Sequence, residues 1–287
     1  QSQLFHSYEL IGASPNIMKI KDQIKKISSS ESRILINGPT GSGKELVARK
    51  IHKSSSRSDK PFIILNGALL DVQTYEKELF GEEKSNGSIS YGVLERSSNG
   101  ILLIDEVTEI PLETQSKILR VLTDQKFKRI NGNHDIKVDV RILCSSSKNL
   151  KNEIKAGNFR EDLFHRLSVF QIDIETLANR VEDIPLLTNY FIKKIFKTYN
   201  IKEFDLNENM DYLLSYNWPG NVRELRNLVE RIAILSPKND KTLNIIKESL
   251  KPAEQEIFSI NDTLSIPLKE ARENFEKEYL TTQLKKF

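Results

Sequence analysis

Short apolar runs alternate with longer amphipathic ones along residues 33–174. The apolar runs are rich in β-branched residues and nearly continuous, which is typical of parallel strands that are buried on both faces. These predicted strands are residues 33–37, 61–66, 101–105, 140–144 and 169–174. Helical spacing marks residues 44–53 and 111–122. In the second of these helices, four apolar residues are predicted to share one face: Leu112, Ile118, Leu119 and Leu122. The alternation predicts an α/β domain with a parallel central sheet.

After about residue 174 the strand signals fade and helical patterns replace them. The clearest helix start is at Asn221, a predicted N-cap, because Glu224 follows three residues later and apolar residues then recur at helical spacing. We therefore expect a small α-helical lid after the α/β subdomain, and then a linker and a final amphipathic helix. The predicted segments are, in that order, residues 1–174 (α/β), 175–250 (lid), 251–265 (linker) and 266–287 (final helix).

Composition narrows the class of protein. The chain has 287 residues, of which 38% are apolar and 29% charged, as in a globular protein. No apolar run approaches the roughly 20 residues of a membrane helix, so we expect no membrane partner. The net charge of +3 is too balanced to indicate a nucleic-acid surface. Cys144 is the single cysteine, which excludes an intrachain disulfide and a cysteine zinc site and favours a cytoplasmic location.

A glycine-rich stretch, GPTGSGKE, follows the first predicted strand and precedes a predicted helix. It has the spacing of a P-loop, in which glycines let backbone N–H groups surround phosphates and the helix N-terminus adds a favourable dipole. The strand and helix around it favour this interpretation over a chance glycine-rich turn. Lys44 is placed to reach the β- and γ-phosphates, but Glu45 replaces the Ser or Thr that usually helps to hold Mg²⁺. The candidate nucleotide-binding residues here are Gly38, Pro39, Thr40, Gly41, Ser42, Gly43, Lys44 and Glu45.

The predicted strand of residues 101–105 delivers two carboxylates at its carboxyl end, Asp105 and Glu106. In open α/β sheets, ligands bind at that end of the strands. Asp105 is placed to hold Mg²⁺, and Glu106 to polarise a water for attack on the γ-phosphate. Two acidic residues after a strand are a weak signal alone, but downstream of a P-loop they predict an ATP-hydrolysing site.

These segments together resemble the AAA+ ATPase domain of sigma-54-dependent transcription activators of the NtrC type, over nearly the whole chain. The segments that carry the resemblance are ELIGASPNIMKI, GPTGSGKELVARKIH, PFIILN, ELFGEE, LLIDEVTEIPLETQSKILRVL, FKRINGNHDIKVDVRIL, FREDLFHRL and WPGNVRELRN. The resemblance implies a P-loop NTPase fold with a helical lid, ATP and Mg²⁺ as cofactors, and a homo-oligomeric ring of six or seven subunits. It also makes Glu45 a family trait.

The resemblance further implies roles within one subunit. Ile11 and Gly12 stand where the family borders the adenine. Asn66 stands where the family keeps an asparagine that contacts the catalytic glutamate, and Arg223 stands at the sensor II position, an implied phosphate contact.

Two arginines, Arg160 and Arg166, lie in the segment FREDLFHRL. By residue type alone they would be surface charges on a helix with acidic neighbours. The resemblance identifies this segment as the arginine-finger segment, which implies that both side chains reach the nucleotide of a neighbouring subunit and stabilise transition-state charge there.

The tail segment PLKEARENFEKEYL resembles the first helix of the Fis-type DNA-binding domain of NtrX-like regulators. In that family a helix-turn-helix follows, and a receiver domain with a phosphoacceptor site precedes the ATPase domain. We therefore expect the chain to be part of a longer response regulator, with the receiver and the DNA-binding helices outside it.

Three segments depart from the family pattern. The sigma-54-contacting GAFTGA loop is replaced by SNGSISYG, so residues 82–92 are expected to be an ordinary flexible surface loop. The sensor I strand has CSSSKNL, in which Ser147 is shorter than the usual Asn or His but keeps a hydrogen-bonding group that we expect at the nucleotide. ETLANR replaces the usual PPL at the domain hinge.

Two functions stay open at this point. In one, the chain is the ATPase of a response regulator whose ring remodels sigma-54 RNA polymerase. In the other, it is a nucleotide-gated oligomerisation module of a DNA-binding regulator that does not contact sigma-54, which the replaced loop favours. A different AAA+ machine, such as a clamp loader or protease ring, is disfavoured by ELFG, FREDLFHRL and WPGNVREL.

Overall fold

A computed structural model describes residues 9–67, 72–199, 206–235 and 242–250 of the chain. The chain divides into two compact units, residues 1–239 and 240–287. The predicted linker 251–265 and final helix 266–287 lie outside the described residues.

The described strands and helices follow the predicted order. The strands are β1 (Ile34–Asn37), β2 (Phe62–Asn66), β3 (Gly81–Glu83), β4 (Ile89–Tyr91), β5 (Ile101–Asp105), β6 (Lys126–Phe127), β7 (Ile136–Lys137), β8 (Arg141–Ser146) and β9 (Phe170–Asp173). The helices are α1 (Pro15–Ile27), α2 (Lys44–Lys53), α3 (Val72–Phe80), α4 (Val93–Arg96), α5 (Leu112–Asp124), α6 (Leu150–Lys155), α7 (Glu161–Leu167), α8 (Asp183–Tyr199), α9 (Met210–Ser215), α10 (Asn221–Leu235) and, in the second unit, α11 (Thr242–Ser249). Among the described residues, no helix is both long and apolar enough to cross a membrane.

A five-stranded parallel sheet lies at the centre of the first unit, in the order β2–β5–β8–β1–β9. The five strands coincide with the five apolar runs, which confirms the predicted α/β fold with a parallel sheet. Since all five point the same way, the segments that follow β1, β5 and β8 emerge at one edge of the sheet.

Both faces of the sheet are buried. Successive strand residues point to opposite faces, so Ile34 and Ile36 of β1 pack with α1 and α2, whereas Leu35 packs with α3, α5 and α7. The same alternation divides β5, with Ile101 and Leu103 on the first face and the residues between and after them on the second. This is why the strands read as continuous apolar runs rather than as alternating ones.

Two local predictions need correction. Leu112 is 48% exposed, whereas Ile118 and Leu122 are buried, because a spacing of six residues does not return to the same face of a helix. Asn221 is not the side-chain cap of α10. The carbonyl of Gly220 accepts the first helical hydrogen bond from Glu224, and the Glu224 carboxylate accepts from the Gly220 N–H at 2.8 Å.

Residues 81–91 form an antiparallel hairpin of β3 and β4, which the expectation of an ordinary flexible surface loop over 82–92 did not include. The Lys84 N–H donates to the Ser88 carbonyl at 2.9 Å, and Gly87 closes the turn with a φ of 79°, a region that favours glycine. Ser, Asn and Gly occur in tight hairpin turns as well as in loops, so composition did not separate the two.

Arg129 holds the hairpin against its neighbours. Its guanidinium donates to Glu83 at 3.0 Å and to both carboxylate oxygens of Glu95 at 2.9 and 2.6 Å, and it lies over the Tyr91 ring at 5.3 Å. The Arg129 side chain is only 12% exposed, so these ion pairs are shielded from water.

We predict that Arg129→Ala loosens the hairpin locally. Loss of these bonds should cost the hairpin about 1–2 kcal/mol and speed exchange of its hydrogen-bonded amides about tenfold, as measured by hydrogen exchange. Arg96→Ala is the control, because Arg96 pairs with Glu78 on the exposed face of α4. Equally faster amide exchange in both variants would show that Arg129 does not hold the hairpin.

Candidate functional site

A cavity of about 690 Å³ opens at the carboxyl ends of β1 and β5, between the sheet and helices α8 and α10. Glycines and the start of α2 form its floor, two carboxylates lie on one side, and apolar and aromatic side chains lie at the far end. The lining residues that the sequence predicted are Ile11, Thr40, Gly41, Ser42, Gly43, Lys44, Glu45, Asp105, Glu106 and Arg223.

The floor of the cavity is the loop between β1 and α2. Gly41 and Gly43 have φ values of 76° and 107°, which favour glycine. Helix α2 begins at Lys44 without a side-chain cap at Gly43. The first N–H groups of a helix have no partner within it, so this floor presents donors and a positive dipole end to an anion.

Lys44 is 7% exposed and is held by neighbouring oxygens. Its ammonium donates to the Gly38 carbonyl at 2.9 Å and lies 3.5 Å from the Pro39 carbonyl. It also pairs with Glu106 Oε1 at 3.1 Å. The predicted phosphate-binding lysine and the predicted catalytic carboxylate are therefore in direct contact.

The other carboxylate oxygen of Glu106 is hydrogen-bonded to Ser147. Glu106 Oε2 accepts from the Ser147 N–H at 2.9 Å and from its hydroxyl at 2.8 Å. Burial alone would raise the pKa of Glu106, but the Ser147 hydrogen bonds and the Lys44 charge outweigh it, so the pKa lies below its ordinary value. Glu106 is thus ionised at neutral pH. Its φ of 54° is uncommon outside glycine and is typical of functional sites.

Asp105 is oriented by the neighbouring strand. The Ser145 hydroxyl donates to Asp105 Oδ1 and accepts from the Glu106 N–H at 3.2 Å. Asn66 ends β2 in register with Asp105, so its backbone lies at the same edge of the sheet. The hydroxyl of Ser146, which lies between Ser145 and Ser147, instead donates to the Lys148 carbonyl at 2.8 Å.

The lid touches the floor of the cavity directly. The Arg223 N–H donates to the Gly41 carbonyl at 3.2 Å, and Asn221 Nδ2 donates to the Thr40 carbonyl at 3.0 Å. A Cβ atom on Gly41 would lie 2.2 Å from the Gly220 carbonyl, so the close approach requires glycine there.

The remaining predicted residues lie beside the cavity or away from it. Gly12 packs on the Asp183 carboxylate behind Ile11. Glu45, one of the lining residues named above, pairs with Arg49 at 2.7 Å. Arg160 pairs with Asp162 at 2.6 Å, and Arg166 donates to the Leu122 carbonyl at 3.4 Å. Neither Arg160 nor Arg166 is among the described residues that line the cavity of this chain.

Sequence reasoning missed the apolar end of the cavity. Leu187, Tyr190 and Phe191 line it from α8, and Lys194 and Arg226 lie beside them. The spacing i, i+3, i+4 marked these three as one helix face. Nothing in the pattern separated a cavity-lining face from an ordinary core face.

Two family models match consecutive parts of the chain. The model described as the sigma-54 interaction domain matches residues 10–173, more than half of the chain. The model described as the AAA+ ATPase lid domain matches residues 178–260.

Individual relatives agree with these models. The nitrogen assimilation regulatory protein NtrX of Azorhizobium caulinodans is 42% identical over 99% of this chain and 64% of its own length. A putative NtrX-like response regulator of Rickettsia typhi is 42% identical over 100% of this chain and 62% of its own. The crystal structure of NtrX from Brucella abortus in complex with ADP is 45% identical, has a TM-score of 0.81 and covers 98% of this chain and 63% of its own. A structure of the same protein in complex with ATP has a TM-score of 0.80. The chain spans less than two thirds of the length of these relatives.

We predict that Ser147→Ala raises the pKa of Glu106, because it removes a hydrogen bond that favours the carboxylate. The measurement is a ¹³C NMR titration of the Glu106 carboxyl carbon. Ser146→Ala is the matched control, since its buried hydroxyl bonds Lys148 instead. The pKa of Glu106 should be unchanged in the control, and a pKa unchanged in Ser147→Ala would disprove the contact.

Proposed function

Because this chain belongs to the family of sigma-54 interaction domains, AAA+ ATPase modules of NtrC-type and NtrX-type transcription regulators, we propose that it binds and hydrolyses ATP in this cavity. The observation that carries the proposal is the contact of Lys44 with Glu106 above an uncapped helix start. ADP and ATP complexes of the Brucella NtrX support nucleotide binding.

The phosphates bind at the loop of residues 38–44 in this proposal. Backbone N–H groups at the start of α2 donate to them, and the Lys44 ammonium neutralises the β- and γ-phosphates. The apolar end of the cavity, with Ile11, Tyr190 and Phe191, suits a flat, largely apolar base. Arg223 also lines the cavity, and its guanidinium can contact a phosphate there.

The donor set fits Mg²⁺. Asp105 presents a carboxylate to the cavity, and Mg²⁺ in nucleotide sites is usually held by one or two carboxylates together with phosphates and water. Asp105 would hold the ion, and Ser145 keeps that carboxylate in place. When bound, Mg²⁺ supplies charge neutralisation for the phosphates.

Glu106 is the proposed general base. A phosphate that binds Lys44 draws the ammonium away from Glu106 Oε1, while Ser147 keeps hold of Oε2. The freed oxygen is ionised and faces the cavity, so it can accept a proton from a water that attacks the γ-phosphate. Asn66 remains a candidate for orienting Glu106 during this step.

Arg160 and Arg166 are proposed to act on a second copy of the chain. Both lie on or beside α7, outside the cavity of their own chain, which supports a role at a neighbouring site. A guanidinium supplied in trans stabilises the charge of the transition state and makes turnover depend on assembly. A ring of six or seven copies is the assembly that the family resemblance implies.

The biological role that we propose is control of transcription, in the cytoplasm, as part of a response regulator with a receiver domain and a DNA-binding region. The two candidate outputs differ at residues 81–91. Residues 81–91 form a hairpin in which Ile89 is 45% and Tyr91 60% exposed. This hairpin is compatible with sigma-54 remodelling and with the oligomerisation module. Isomerisation of sigma-54 RNA polymerase during ATP turnover separates them: its absence would leave the oligomerisation module.

We predict that Glu106→Gln preserves nucleotide binding and lowers turnover about a hundredfold or more, because an amide cannot accept the proton. Calorimetry with ATP and phosphate release measure the two quantities. Glu109→Gln is the control, since Glu109 pairs with Lys148 at 2.8 Å outside the cavity lining. Normal turnover in Glu106→Gln would refute the assignment.

We predict that Arg166→Ala and Arg160→Ala each lower turnover about a thousandfold while nucleotide affinity stays nearly unchanged, because the lost charge acts only in the transition state. Wild-type turnover should rise steeply with protein concentration. Arg96→Ala is the matched control for Arg160→Ala and should keep normal turnover. Arg96 and Arg160 are 47% and 42% exposed, and each pairs with a carboxylate. A large loss of affinity would show that the fingers are wrongly assigned.

A further inference from the structure

A buried ion pair joins three walls of the cavity. Arg180 and Asp183 are 2% and 0% exposed, respectively, and Arg180 Nη1 lies 3.7 Å from Asp183 Oδ2. Arg180 lines the cavity, and Asp183 is the first residue of α8. Neither residue has a role in the function proposed above.

Asp183 binds the turn that precedes α1. Its Oδ1 accepts from the Ala13 and Ser14 N–H groups at 2.7 and 2.8 Å, and its Oδ2 accepts from the Ser14 hydroxyl at 2.7 Å. A Cβ atom on Gly12 would lie 2.7 Å from Asp183 Oδ1, so the carboxylate fills the space that glycine leaves. Ile11, which lines the cavity, comes directly before this turn.

Arg180 binds the floor of the cavity. Its Nη2 donates to the Ser42 carbonyl at 3.0 Å, and both the Arg180 Nε and the Ser42 hydroxyl are buried without a hydrogen-bond partner. Burial lowers the pKa of the Arg180 guanidinium, so its charged form is costly at this place. A buried ion pair seldom adds net stability over apolar residues, which points to a role other than stability.

We propose that Arg180 and Asp183 are positioning residues for nucleotide binding, which couple the floor, the turn before α1 and the first lid helix. This rests on the proposed function. Arg180 turns the Ser42 carbonyl away from the phosphates, which leaves the N–H groups that follow it directed at them. Asp183 holds Ile11 at the distance from α8 that the base requires. A nucleotide that contacts the floor, Ile11 and α8 binds most tightly when the ion pair holds these three parts of the cavity in place.

The test compares Arg180→Met with Arg141→Met. Arg141 is also 2% exposed, and its guanidinium donates to the backbone carbonyls of Ile27, Ser28 and Ser32 at 3.0 to 3.2 Å. It is not among the lining residues of the cavity. ADP is titrated into each variant of the 287-residue chain by calorimetry, at a temperature where circular dichroism shows the variant folded.

Arg180→Met should weaken ADP binding about tenfold to a hundredfold, and Arg180→Lys should restore part of the loss. Arg141→Met should lower the melting temperature but keep ADP affinity within about twofold of wild type. Ser14→Ala, which removes one hydrogen bond to Asp183, should weaken ADP binding about threefold. It replaces Arg180→Met as the test variant if Arg180→Met does not fold.

Three results would overturn the inference. Wild-type affinity in Arg180→Met, or in Ser14→Ala if the first variant does not fold, would show that the pair does not position the site. An equal loss in Arg141→Met would reduce the effect to general destabilisation. If the wild-type chain binds neither ADP nor ATP, the proposed function itself fails.

Discussion

The buried ammonium of Lys44 is the constraint on which the site depends. A cation that is 7% exposed needs oxygen partners, because an unpaired buried charge is strongly unfavourable. The Gly38 carbonyl and Glu106 provide them, and they come from the ends of β1 and β5. The parallel sheet brings these strand ends to one edge, so the fold itself places the oxygen partners that neutralise Lys44. In the proposed function, a phosphate replaces Glu106 as the partner of Lys44, and this exchange prepares the carboxylate for catalysis.

The walls of the cavity are connected through backbone groups rather than through surface charge. Asn221 and Arg223 reach the floor from α10, and Arg180 reaches it from the segment before α8. These bonds end on main-chain carbonyls, so they attach α10 and the segment before α8 directly to the phosphate-binding loop. Exposed pairs such as Glu45 with Arg49 are screened by water and contribute little of this kind.

The hairpin of residues 81–91 stands where the sequence departs from the GAFTGA motif of the family. Its sequence lacks the GAFTGA motif of the family, yet it forms a two-stranded element that Arg129 holds in place. The replacement therefore changes the side chains of this segment. Two of its apolar side chains, Ile89 and Tyr91, are exposed.

Sequence alone determined the parallel sheet, the P-loop and the two carboxylates, because these depend on local periodicity and on short spacings along the chain. The five strands, α2 and the cavity residues from Thr40 to Glu45 follow from such signals. The roles predicted for Asn66, Arg160, Arg166 and Arg223 remain predictions, as do the boundaries at residues 174 and 250. Only the tertiary structure decided that Ser147 holds Glu106, that α8 supplies the apolar end of the cavity, and that Arg180 and Asp183 join its walls. These contacts link residues 41 to 170 positions apart, and no period or spacing in the sequence encodes such a distance.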